Sequence, residues 1–210
     1  MGYVEYAFEA RTLTGKRRVS ARRGWAAETG GLFQHPVRNE MGSHTAHEHK
    51  SHAPHSIGCM VITCSDTRTP ATDASGHCIM HLLEDAGHAV VAYHLVKDEP
   101  SKISAKVKAA LTDNKIQAII INGGTGISNR DSTFEAVDAM LEKRLVGFGE
   151  IFRYLTYQDI GSPAIMSRAT AGIIKGRVLF STPGSENAVR LAMEKLILPE
   201  LGHLVKELTK

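Results

Sequence analysis

Ile116-Gln117-Ala118-Ile119-Ile120-Ile121-Asn122-Gly123-Gly124-Thr125-Gly126-Ile127-Ser128-Asn129-Arg130-Asp131 joins a short apolar run to a glycine-rich loop. A β-branched run of this length, bounded by glycine, reads as a strand buried on both faces, as in a parallel sheet. Three glycines in the four positions after Asn122, interrupted by Thr125, let the backbone approach a ligand closely and aim N–H groups at phosphate. The loop is not a Walker A sequence, and Asn129 stands where the third glycine of GxGxxG belongs. Ser132-Thr133-Phe134-Glu135 has the form of a capping box, which leaves Asp131 for another task, or as an alternative N-cap.

Upstream, Ile57–Thr63 is a second buried strand, Asp73–Ala86 a helix ended by Gly87, Ala89–Val96 a strand and Ser101–Leu111 a helix. Downstream, the pattern predicts a helix over Ser132–Lys143 with Phe134, Val137 and Leu141 on its core face. It also predicts helical segments at about 149–159 and 163–171 and a last strand over Arg177–Ser181. A terminal helix over Ser185–Leu208 should be kinked near Pro199. Strands alternating with helices need crossover connections, so the expected fold is a three-layer α/β/α domain with a mostly parallel central sheet. Ligands bind beyond the carboxyl ends of such strands, which singles out loops 64–72, 97–100, 122–131 and 182–185.

Composition limits the function classes. The chain has 210 residues with 42% hydrophobic and 22% charged content, enough for one sizeable core. Apolar runs such as Ala118–Ile121 fall far short of the roughly 18–20 residues that span a bilayer. Residues 1–40 carry seven basic and four acidic side chains of the chain's 25 and 22, so the rest is neutral and has no basic stripe for nucleic acid. Cys59, Cys64 and Cys78 include no CxxC pair and read as reduced thiols in a cytoplasmic protein. Cys59 and Cys64 lie on one strand at odd separation, so their side chains should point to opposite faces. Residues 1–55 are expected to be a flexible extension lacking a secretory h-region, with 56–210 forming the folded domain. The extension ends in His44, His47, His49, His52 and His55, whose loose spacing suits a solvated tail better than a dedicated metal site.

The other loops carry Ser65-Asp66-Thr67-Arg68, Lys97-Asp98-Glu99-Pro100, Ser167-Arg168 and Pro183-Gly184-Ser185. Read from residue chemistry, Asp98 can cap the following helix, Asp66 can form an Asx turn and Ser185 can cap the last helix. Arg68 and Arg168 can fork onto anionic groups or form surface ion pairs. Together with Gly123-Gly124-Thr125-Gly126, these motifs resemble the MoaB/MogA family of molybdenum cofactor biosynthesis, related to the G domain of gephyrin, over about residues 56–205. The segment Val146–Gly161, followed by Ala164–Gly172, is more similar to the B branch.

That resemblance implies a domain that binds molybdopterin and adenylylates it with ATP and Mg²⁺, giving molybdopterin-AMP and pyrophosphate. It implies that Asp98 and Asp131 are catalytic and hold the metal. Ser65, Asp66, Arg68, Gly123, Gly124, Thr125, Gly126, Ser167, Arg168, Pro183, Gly184 and Ser185 would form the substrate site. It also implies a homotrimer or hexamer. The rival reading is a non-catalytic molybdopterin-binding carrier or scaffold.

Overall fold

A computed structural model describes residues 56–129 and 131–210, and the expected N-terminal extension with its histidine tract lies outside the described residues. Six strands form one sheet: β1 (Gly58–Cys64), β2 (Ala89–Val96), β3 (Ala118–Asn122), β4 (Lys143–Arg144), β5 (Thr170–Ile174) and β6 (Arg177–Thr182). Their order is β2-β1-β3-β6-β5-β4. Pairings β1–β2, β1–β3 and β3–β6 are parallel, and β5–β6 and β4–β5 are antiparallel. In register, Val61 lies between Tyr93 on β2 and Ile120 on β3.

The parallel half follows from strand burial. Every residue of β3 is buried, so both faces must be covered. On one face α1 (Ala74–Asp85), α4 (Val146–Ile160), α5 (Glu186–Ala192) and α6 (Leu198–Leu208) close over Cys59, Val61, Ile120 and Phe180. On the other, α2 (Pro100–Ala110) and α3 (Thr133–Asp138) cover Met60, Ile62, Cys64, Ile119 and Ile121. Cys59 and Cys64 thus fall in different layers, as their odd spacing requires.

Three sequence expectations need correction. The helix expected over Ser132–Lys143 ends at Asp138, because Glu142 N–H donates to Ile173 O (2.8 Å) and Leu145 N–H to Ala171 O (2.7 Å). Sheet pairing captures this backbone as β4. It can lie so close only because residue 172 is glycine: a Cβ there would overlap Lys143 O. The helix expected at 163–171 is a 3-10 turn over Ser162–Met166, followed by β5. β5 and β6 are joined by Lys175-Gly176, both at positive φ (44° and 72°), the signature of a type I′ hairpin. The C-terminal helix is continuous but opens into a π-turn over Met193–Ile197, where Leu198 N–H bonds Met193 O. The irregularity therefore precedes Pro199 instead of centring on it. Among the described residues no helix is long and apolar enough to cross a membrane.

Candidate functional site

The carboxyl ends of β1, β3 and β6 open onto a cleft of about 540 Å³. Its floor is the glycine loop after β3. Gly123 and Gly124 adopt φ of 93° and 60°, and a Cβ on Gly124 would overlap Asp98 Oδ2 and Thr133 Oγ1. Glycine is required at 124 by both backbone conformation and contact. Gly123 N–H donates to Thr182 O (3.1 Å) and Gly124 O accepts from Thr133 N–H (3.0 Å), which moors the loop to β6 and α3.

Eleven of the fourteen expected site residues line this cleft: Ser65 and Arg68 after β1, Gly123, Gly124, Thr125, Gly126 and Asp131 after β3, Ser167 before β5, and Pro183, Gly184 and Ser185 after β6. Cys64, Thr67 and Met166 join them without having been singled out in the sequence. Burial pushes the Cys64 thiol up to about 12, which favours its protonated form. A second cavity of about 200 Å³ shares the wall of Ser167, Pro183 and Ser185 and extends toward Thr156, Asp159 and Asn187.

Three expected residues do not line the cleft. Asp66 is exposed, and beside it Ser65 Oγ accepts from Thr67 N–H (3.3 Å) and Arg68 N–H (3.1 Å). Arg168 sits behind the glycine loop. Its Nε donates to Thr125 O (2.8 Å), its Nη2 to Gly126 O, and its Nη1 pairs with Glu135. The guanidinium also lies 5.0 Å from the centre of the Phe134 ring. Its donors hold the loop's carbonyls, so it shapes the floor. Asp98, only 6% exposed, lies beneath Gly124. It does not cap α2, whose N-cap is Glu99, but accepts at Oδ1 from Ser132 Oγ (2.9 Å), Ser132 N–H (3.3 Å) and Thr133 Oγ1 (3.0 Å).

Asp131 stands at the edge of the cleft. Its Oδ2 accepts from Ser128 N–H (2.9 Å) and Ser128 Oγ (2.6 Å), which curls the loop back on itself. No hydrogen bond from a described residue reaches its Oδ1. Ser185 does cap α5, accepting from Ala188 N–H at 3.3 Å, while still facing the cleft. Among the described residues, no group of three His, Cys, Asp or Glu could by itself hold a metal ion.

A buried polar cluster lies beside the cleft, centred on a residue that the sequence reading gave no role in the site. Asp73, fully buried at the head of α1, is linked to Arg68, Ser75, Gly76 and Tyr93. Burial pushes its carboxyl upward, but hydrogen bonds from Thr63, Tyr93, Gly76 and Ser75 outweigh this and hold it below the usual carboxylate value. Burial, and then the hydrogen bond to Asp73, push the Tyr93 hydroxyl up to about 12. In the sequence Asp73 is only the first residue of the expected helix; the approach of β2 and the loops makes it a hub.

Residues 60–203 match the family model described as "Probable molybdopterin binding domain". The chain is 55% identical over 164 residues to molybdenum cofactor biosynthesis protein B of Bacillus subtilis (strain 168), covering 78% of this chain and 96% of the relative. The chain belongs to the molybdenum cofactor biosynthesis protein B family. The Bacillus cereus protein of that name is 52% identical over 162 residues, covering 77% of this chain and 96% of its own. Among solved structures, a crystal structure of molybdenum cofactor biosynthesis protein B matches with a TM-score of 0.73 at 52% identity, covering 75% of this chain and 98% of that one. The tungsten cofactor synthesizing protein MoaB from Pyrococcus furiosus matches at 0.68 and 35% identity, covering 75% and 100%.

Proposed function

We propose that this chain binds molybdopterin in the cleft and adenylylates it: a terminal phosphate oxygen of molybdopterin attacks the α-phosphorus of ATP, the α–β bridging bond breaks, and pyrophosphate leaves. The observation that carries the reading is the meeting of the glycine loop and the Pro183–Ser185 loop across one cleft, with Asp131 at its edge. Nucleotidyl transfer asks a protein chiefly to hold two phosphates in line and to offset charge. Backbone N–H groups of Gly124–Gly126 suit the first task, and the adjoining cavity gives room for a ligand of two parts.

Mg²⁺ fits at Asp131, where no described residue hydrogen-bonds Oδ1 and the remaining ligands would be phosphate oxygens and water. Bound there, the cation would offset the charge on the triphosphate. Asp98 fits a direct ligand role less well, since Oδ1 is occupied by Ser132 and Thr133 and Oδ2 lies under Gly124. That occlusion is the observation favouring the rival reading of a carrier. Purified protein with molybdopterin, ATP and Mg²⁺ should yield molybdopterin-AMP and pyrophosphate. Retention of molybdopterin without adenylate would put the carrier in its place.

A homotrimer, or a hexamer of two trimers, is the assembly we infer. Ile151, Tyr154, Tyr157 and Ile160 recur every third residue along α4 and are half or more exposed, and Ile165 beyond them is 81% exposed. An apolar surface of this extent on a small domain is an interface signature.

A further inference from the structure

Asp73 carries more than a helix cap needs. Capping α1 uses one hydrogen bond, from Gly76 N–H to Oδ1 at 3.0 Å. The same oxygen takes Arg68 Nη1 at 3.0 Å, and Oδ2 takes the Tyr93 hydroxyl at 2.6 Å. Burying a carboxylate so fully is costly unless the surroundings satisfy it, so these partners are part of what the fold must preserve. Ser75 Oγ lies 3.1 Å from Asp73 Oδ1 and 2.8 Å from Asn122 Oδ1, and its single proton serves one of them at a time. Asn122 Nδ2 in turn donates to Thr63 Oγ1 at 2.9 Å. One carboxylate therefore ties together the ends of β1 and β3, the head of α1 and, through Tyr93, the middle of β2.

Arg68 continues the chain of contacts to the far wall. Its Nη2 donates to Gly184 O at 2.8 Å, across 116 residues of sequence. Both ends of this guanidinium are engaged, so the loop after β1 and the loop after β6 are joined over the head of the cleft. A lysine could supply the charge but not the fork that reaches Asp73 and Gly184 together.

We propose that Asp73 and Arg68 form a strap that sets the width of the cleft, with Asp73 as a positioning residue that acts through Arg68 on the Gly184 carbonyl. The choice of molybdopterin as the ligand measured rests on the function proposed above; the strap itself does not. It predicts that Arg68 contributes to binding by holding protein, not by its charge toward the ligand.

The test compares the full chain with Arg68→Lys, Asp73→Asn and the double variant, reading thermal midpoint, hydrogen exchange over residues 184–189 and affinity for molybdopterin. Arg68→Lys should leave the midpoint nearly unchanged, quicken exchange over 184–189 about tenfold and weaken molybdopterin about tenfold, as for loss of one charge-assisted contact. Asp73→Asn should reproduce both changes, and the double variant should be no worse than Arg68→Lys, because the two act as a unit. Unchanged exchange in Arg68→Lys would overturn the strap. Tighter molybdopterin binding by Asp73→Asn would also overturn it, since it would reveal Arg68 as a direct anion ligand that Asp73 had been restraining. If Asp73→Asn does not fold, Arg68→Lys alone decides through exchange. A wild-type chain that binds no molybdopterin refutes the proposed function, and the exchange readout still decides the strap.

Discussion

Ser132 donates to Asp98, and its side chain accepts nothing from its own helix: its Oγ lies 2.9 Å from Asp98 Oδ1, and its N–H reaches the same oxygen at 3.3 Å. The capping box legible in Ser132–Glu135 is therefore not made. Ser132 gives α3 no side-chain cap, and Glu135 turns to Arg168. A carboxylate from 34 residues away competes successfully with local capping, because a charge-assisted bond in a nearly buried setting outweighs a neutral, exposed one.

Asp98→Ala should destabilise the fold, since Ser132 and the buried Thr133 lose their acceptor. A loss of about 1–3 kcal/mol is expected in denaturant melts. Asp98→Asn retains an acceptor oxygen and should lose clearly less. Equal stability in all three proteins would show that Asp98 does not anchor α3.

Asp131→Asn should separate chemistry from folding. Its amide oxygen can still accept from Ser128, so the melt should shift by no more than about 0.5 kcal/mol. Adenylyl transfer should fall about 100-fold or more, since the charge that would hold the cation is gone, while molybdopterin still binds. Wild-type turnover in this variant would remove Asp131 from the catalytic set.

Replacing Arg168 by Lys should loosen the glycine loop by releasing the carbonyls of Thr125 and Gly126. Molybdopterin affinity should fall about tenfold by loss of preorganisation. Glu135→Gln should do much less, because that partner is 61% exposed on its side chain and its ion pair is a weak surface one. Calorimetric titration of both variants checks the contrast.

A charge placed on the exposed apolar patch, as in Tyr157→Glu on α4 or Ile165→Asp on the 3-10 turn after it, should dissociate the assembly and leave the protomer folded. Light scattering should report the loss of mass, and circular dichroism an unchanged helix signal. A wild-type protein already monomeric at micromolar concentration would contradict the proposed interface.

Acidification should weaken the start of β1. His88 Nδ1 accepts from Ile57 N–H at 3.3 Å, a bond that requires an unprotonated nitrogen, and burial lowers the pKa of this histidine from 6.5. Above pH 6.5 both folded and unfolded chains hold it neutral, so it contributes no pH dependence. As pH falls below that value the unfolded chain takes up the proton first, and stability declines until the folded pKa is reached. His88→Asn should flatten this part of a stability profile between pH 7 and 5 relative to wild type.

The parallel half of the sheet was legible because its signals are local. Each strand from β1 to β3 is a short β-branched run, and each following loop carries its own glycine, serine or aspartate. The antiparallel edge was not. β4 is two residues long and its backbone is captured by β5, a partner distant in sequence. The one local clue was Lys175-Gly176 between two apolar runs, a hairpin turn that could have revealed β5.

The same division runs through the site. Residue type and loop position, read from sequence alone, determined which connections build the cleft, because strand polarity places those loops at one end of the sheet. Only the tertiary structure decided what each charged side chain does there. Arg168 and Asp98 are turned to holding the floor, Arg68 to holding a wall, and Asp73 to joining four elements, while Asp131 lines the cleft itself. The reason is physical: local capping depends on neighbours three or four residues away, whereas a buried charge is satisfied by whatever donors the packed chain brings to it, as Ser132 and Thr133 reach Asp98 from 34 and 35 residues away.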